Sequence, residues 1–91
     1  MANNPQSRKR VRQTERRTER NKPFRTRAAR TVRAARAAIQ HNTPEAGDLV
    51  RLAQSALDRA ARRAVIHPNA AARRKSRLAQ QLRAVQTAAA A

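Results

Sequence analysis

The sequence has no cysteine, one glycine and one aromatic residue, Phe24. Without cysteine, neither disulfides nor thiolate metal sites can hold a small chain together. With a single glycine and no strand-like alternation, there is no signal for a sheet. The near absence of aromatics removes the stacking platforms on which readers of unpaired bases rely. Large apolar side chains are also few: of the residues behind the 40% hydrophobic content, 22 are Ala and only 14 are larger. No apolar run approaches the roughly 20 residues that span a bilayer. The first residues lack the apolar middle of a secretory signal. Acids are scarce too, with five Asp and Glu against 22 Lys and Arg, a formal charge of +17 on 91 residues.

A body of this size with that charge repels itself, so a polyanionic partner is implied. A GC-rich genome would inflate both Arg and Ala and so account for 19 of the cations being Arg and three Lys, but it would not explain the net charge; Arg also suits phosphates, giving paired contacts that Lys cannot. The charge is uneven: residues 1–40 carry +11, residues 41–69 carry +1 and residues 70–91 carry +5. The two ends of the chain are therefore its partner surface, and the middle is a near-neutral strut. An Arg-rich start imitates an organelle transit peptide, but Glu15, Glu19 and the lack of an apolar face argue against one.

From Ser7 to Arg20 the only large apolar residue is Val11. This arm has good helix formers but no core face, so it is expected to be frayed alone and helical on a phosphate surface. From Phe24 a stripe appears at helical spacing: Phe24, Ala28, Thr31 or Val32, Ala35 and Ile39. Pro23 is expected to kink the helix or mark the junction. His41 to Pro44 form a break, with Thr43 as N-cap and Pro44 at the first position of helix two. That helix runs to about Ala64 on the stripe Leu49 or Val50, Ala53, Leu57, Ala60 and Ala64. Arg51, Arg59, Arg62 and Arg63 lie off the stripe, and Asp58 sits four residues before Arg62, the spacing of a helix ion pair. Helix two is expected to continue through Ala64, because Ala disfavours the left-handed conformation. The corner then falls at Ile66 to Pro68, with Asn69 as N-cap of a third helix reaching about Val85. Ala71, Leu78, Leu82 and Val85 point inward on this last helix. The fold class is all-α, a three-helix bundle with a long basic first helix overhanging the other two. Its parts are a basic arm (1–22), the bundle (23–87) and an Ala-rich tail (88–91).

Catalytic constellations are absent. Nothing in the spacing joins His41 to His67 as an acid–base pair, Ser7, Ser55 and Ser76 have no neighbouring base, and two His with scattered acids do not make a metal site. No enzyme activity and no cofactor are expected. The cations remain, and between residues 8 and 36 they occur all round the helix, which suits a rod lying between polyanion segments. Phosphate contacts are expected from Arg8, Lys9, Arg10, Arg12, Arg16, Arg17 and Arg20, with Gln13 and Asn21 among them. Arg25, Arg27, Arg30 and Arg33 continue the surface. His67, Asn69, Arg73, Arg74, Lys75, Ser76 and Arg77 supply a second patch on the third helix.

The corner also carries a resemblance. Val65-Ile66-His67-Pro68-Asn69, followed by Ala71-Ala72-Arg73 and Lys75-Ser76-Arg77-Leu78, resembles the signature of the bacterial small-subunit ribosomal protein family numbered twenty. That family carries Ile or Leu before His-Lys-Asn and then Ala-Ala-Arg-x-Lys, and it often opens with Met-Ala-Asn ahead of a basic run, as Met1-Ala2-Asn3 and Arg8-Lys9-Arg10 do. Two departures stand out: Ala64 where the family tends to end a helix with Gly, and Pro68 in place of Lys. The resemblance implies a structural constituent of the small ribosomal subunit that binds small-subunit ribosomal RNA early in assembly and bridges RNA helices. It further implies a cytoplasmic, ribosome-bound location in a bacterium, with other small-subunit proteins as neighbours and no membrane or small-molecule substrate. A histone-like DNA-binding protein is the chief rival. A membrane-active cationic helix is the other, and it lacks the apolar face it would need.

Overall fold

Three helices account for the architecture: α1 (Pro5–Gln40), α2 (Ala46–Arg62) and α3 (Pro68–Ala90). The computed structural model describes the backbone of residues 4–90 and side chains through Ala88. The Met1-Ala2-Asn3 opening and the last tail residue, Ala91, lie outside the described residues. The fold class is the one read from the sequence, and among the described residues there is no strand.

α1 begins earlier than the sequence suggests. Asn4 is extended, and its Oδ1 accepts from the Ser7 amide at 2.7 Å, with Pro5 at the first helical position. Proline suits that position because its missing N–H would have had no partner there. The helix then runs 36 residues, about 54 Å at 1.5 Å per residue. Pro23 lies inside it and does not end it, although the Glu19 carbonyl forgoes an amide partner there. The Thr14, Thr18 and Thr31 hydroxyls donate to carbonyls four residues back along the helix.

Both inter-helix connections close with the same hydrogen-bond pattern. After α1, the Thr43 amide reaches the Ala38 carbonyl and the Asn42 amide reaches Ile39, with Asn42 left-handed at φ 52°. After α2, the Val65 amide reaches Ala60 and the Ala64 amide reaches Ala61, with Ala64 left-handed at φ 57°. This is the Schellman arrangement, which pairs carbonyls that a helix end otherwise orphans. The expected continuation of α2 through Ala64 is therefore wrong. The closing bonds, and Val65 packed against the core, outweigh the roughly 1–2 kcal/mol that Cβ costs in this conformation. Ala64 is consequently exposed and leaves the inward stripe.

Two expected caps are also displaced. Thr43 does not cap α2; its carbonyl accepts from Ala46, making a turn with Pro44 second in it, and Glu45 occupies the cap position with no side-chain bond. Nor does Asn69 cap α3. Pro68 takes the first helical position and His67 precedes it, with the imidazole Nδ1 accepting from the Asn69 amide at 3.1 Å. The cap moves two residues back, from Asn69 to His67, because Pro68 has its φ preset and no donor to satisfy. At the other end α3 continues past Val85 to Ala90, as its Ala-rich composition favours.

The core is small and tight. Ala28, Val32, Ala35 and Ile39 from α1 meet Val50, Ala53, Leu57 and Ala60 from α2, with Ala71 and Leu78 from α3. Eight of the 13 hydrophobic residues buried among those described are Ala, so little apolar surface is hidden per residue. Leu57 and Leu78 are the largest side chains fully enclosed. Asp58 does not pair with Arg62 as its spacing suggests. Both its carboxylate oxygens accept from Lys75 Nζ on α3, at 2.9 and 3.2 Å, which ties the second helix to the third. α1 packs chiefly on α2 and α2 on α3, while the α1–α3 interface is the smallest. The first half of α1 projects beyond the bundle, so the molecule measures 66 × 20 × 19 Å. Its radius of gyration is 17.8 Å, against about 12 Å for a compact chain of this length.

Candidate nucleic-acid interface

Every residue from Arg8 to Arg20 is exposed. At 3.6 residues per turn, Arg8, Lys9, Arg10, Arg12, Arg16, Arg17 and Arg20 cover an arc of about 200° of the helix, more than one flat side, while Val11, Thr14, Glu15 and Thr18 take the rest. Nothing in the protein covers them, and Gln13 stands among them. This half of α1 buries no apolar side chain, and Val11 is 48% exposed. Its cations can meet anions on several sides at once.

At Asn21 and Phe24 burial begins. The Phe24 ring lies under the Arg63 guanidinium, 4.6 Å from carbon to ring centroid, so the chain's one aromatic serves as a cation–π anchor between α1 and the end of α2. It is not a stacking platform for bases. From here on Arg25, Arg27, Arg30 and Arg33 are exposed, while Ala28, Val32 and Ala35 between them are buried.

The third helix contributes a second set. Arg73, Arg74, Ser76 and Arg77 are exposed. Lys75 is only partly so, and its Nζ is held by Asp58. That engagement makes Lys75 first a fastener of the bundle. His67 likewise has a local duty as the α3 cap, made through Nδ1. His41, at the other corner, is the exposed C-cap of α1.

Where α1 and α3 barely touch, the surface opens into a groove of about 620 Å³ lined by Ala29, Val32, Arg33, Arg36, Ala37, Gln40, Arg74 and Arg77. The fold thus brings Arg33 beside Arg74 and Arg77, residues about 40 positions apart in the chain. Arg36 belongs to the same wall and was not among the residues singled out from the sequence. Its signal was present: Arg33, Arg36 and Gln40 follow one another at three- and four-residue steps alongside the buried Val32, Ala35 and Ile39. No acidic residue lines the groove. Among the described residues, no cluster of three or more His, Cys, Asp or Glu is placed to hold a metal ion, and no helix is long and apolar enough to cross a membrane.

Residues 2–83 match the family model described as "Ribosomal protein S20". The chain is 51% identical over 80 residues to small ribosomal subunit protein bS20 of Roseiflexus sp., covering 88% of each chain. It is 45% identical over 89 residues to the bS20 protein of Paracoccus denitrificans, covering 97% of this chain and all of the relative. The Fervidobacterium nodosum protein of the same name is 43% identical over 86 residues, covering 92% of this chain and 90% of the relative.

Proposed function

The chain belongs to the ribosomal protein S20 family, and we propose that it is a structural constituent of the bacterial small ribosomal subunit that binds the subunit's RNA directly. The reading places it in the cytoplasm, on the ribosome, with RNA as its principal partner and neighbouring subunit proteins as secondary ones. Binding is by phosphate neutralisation and shape, not by reading bases. The observation that carries this is the first half of α1: a helix with cations over more than half of its circumference, with no acid beyond Glu15 and Glu19 and nothing buried beneath it. A single flat RNA surface would leave the cations at the edges of that arc facing water, so the arm fits between RNA segments and bridges them. The body then fixes where the arm points, since Ala28, Val32, Ala35 and Ile39 seat the second half of α1 on the bundle and Phe24 lies under Arg63 at the end of α2.

Catalysis plays no part in this reading. Arg side chains offer planar forks that match phosphate oxygens in pairs, which Lys cannot do, and 19 of the 22 cations are Arg. The test is co-sedimentation of the full chain with small ribosomal subunits in moderate salt, paired with competition by folded small-subunit ribosomal RNA and by duplex DNA at matched ionic strength. The reading predicts retention on the subunit and preference for the folded RNA. Equal affinity for the DNA would favour the histone-like alternative.

A further inference from the structure

We propose that the α1–α3 groove is a separate site for one sugar-phosphate strand of RNA, and that the bound strand supplies the cohesion that the α1–α3 interface lacks. The inference rests on the RNA-binding reading above and goes beyond it by assigning a preformed site on the bundle, distinct from the arm, with Arg36 as a member. Three observations meet there. The α1–α3 interface is the smallest of the three in the bundle. Four guanidinium groups, two from each helix, line the gap: Arg33 and Arg36 on one wall, Arg74 and Arg77 on the other. No carboxylate lies among the lining residues to offset them, whereas the α2–α3 side has Asp58 and Lys75 as its own ion pair.

The energetic consequence follows from sign. In the free protein, cations on two facing walls repel and push α1 and α3 apart. A polyanion between them converts that repulsion into attraction to a shared partner. The strand then acts as a ligand of the folded state alone, because only folding brings residues 33–36 and 74–77 together, and it raises stability by mass action. The arm behaves differently. Its cations lie on one continuous stretch of chain with no facing wall, so a short strand bound there draws no two elements of the bundle together. Ala29, Val32 and Ala37 give the groove an apolar floor against which sugars can lie, and the open geometry admits a strand without requiring its bases to be read.

The experiment compares the full chain with two variants that each remove four charges: a groove variant, R33Q/R36Q/R74Q/R77Q, and an arm variant, R8Q/R12Q/R16Q/R20Q. The probe is a short single-stranded oligoribonucleotide of mixed sequence. Read-outs are the thermal midpoint by circular dichroism with and without probe, and the salt dependence of binding. Without probe the groove variant melts no lower than the parent, since its repulsion is relieved. With probe, the parent and the arm variant gain in midpoint and the groove variant does not, while its log–log salt slope falls by about three units (four contacts at about 0.7 each). A groove variant stabilised by the probe as much as the parent overturns the inference. So does polyglutamate, at equal charge and ionic strength, stabilising the parent as well as the RNA does, which would make the groove a seat for an acidic peptide. Should the groove variant unfold, an R36K/R77K pair that keeps the charge and loses the paired hydrogen bonds serves in its place, and an undiminished midpoint gain for it and for R36A alike counts against the site. Failure of the parent to prefer ribosomal RNA over duplex DNA would sink the RNA reading while leaving the groove result legible.

Discussion

At the residue scale, Ala64 carries the clearest strain in the molecule. It closes α2 in a left-handed conformation at φ 57° that costs a side chain with Cβ about 1–2 kcal/mol. Replacing it with Gly removes that strain and returns part of the gain as chain entropy in the unfolded state. Ala64→Gly should therefore stabilise the protein by about 1 kcal/mol, and a thermal melt with a lower midpoint than the parent would contradict the Schellman ending. The sequence argued the other way, because Ala at this position favours a helix that simply runs on. What it concealed was a set of closing bonds from Val65 and Ala64, together with burial of Val65, that only the folded chain displays. The α3 cap is a similar case. Asn69 is the better capping residue by type, but Pro68 fixes the register and hands the role to His67. His67→Ala should cost about 1 kcal/mol and Asn69→Ala should fall within about 0.5 kcal/mol of the parent, reversing the ranking that residue preference suggests. Equal losses at the two positions in chemical denaturation would contradict the assignment. The Asp58–Lys75 pair is partly exposed, which limits it to under about 1 kcal/mol.

At the element scale, α1 is one helix with two different reasons to exist. Its second half is held by burial of Ala28, Val32, Ala35, Ala38 and Ile39. Its first half has an Asn4 cap, good helix formers and back-bonded threonines, but no packing, and isolated helices of that length are marginal in water. Amide exchange should accordingly be fast from Val11 to Arg20 in the free protein and slow once RNA is bound, whereas Val32 to Ile39 should be protected in both. Strong protection of Val11 to Arg20 without RNA would show that the arm holds itself together. The apolar stripe of each helix was legible in the sequence because helical period alone places Phe24, Ala28, Ala35 and Ile39 on one face, and Ala53, Leu57 and Ala60 on another. The partner of Asp58 was not, since a neighbour on the same helix and one 17 residues away on the next are equally open to a sequence reader. With so few large residues inside, the core also has little redundancy: Leu57→Ala or Leu78→Ala should cost about 2–5 kcal/mol, enough to unfold so small a bundle.

At the scale of the whole molecule, an elongated shape and a charge of +17 work together. The bundle supplies a rigid seat, α1 extends the cationic surface well past it, and α3 adds a second cationic wall that sequence separation hides and folding reveals. The arm's cations were readable from composition alone, because exposure on every side leaves nothing for tertiary structure to alter. Arg36 was missed because its importance lies in what α3 sets opposite it. The central claim is that these cations act through phosphates. Its most direct test is the salt dependence of small-subunit ribosomal RNA binding by the full chain and by single Ala variants at Arg8, Lys9, Arg10, Arg12, Arg16 and Arg17. Each substitution should weaken binding to all RNA sequences alike and flatten the log–log slope by somewhat under one unit. An unchanged slope with a marked shift in sequence preference would instead mean that these side chains read bases.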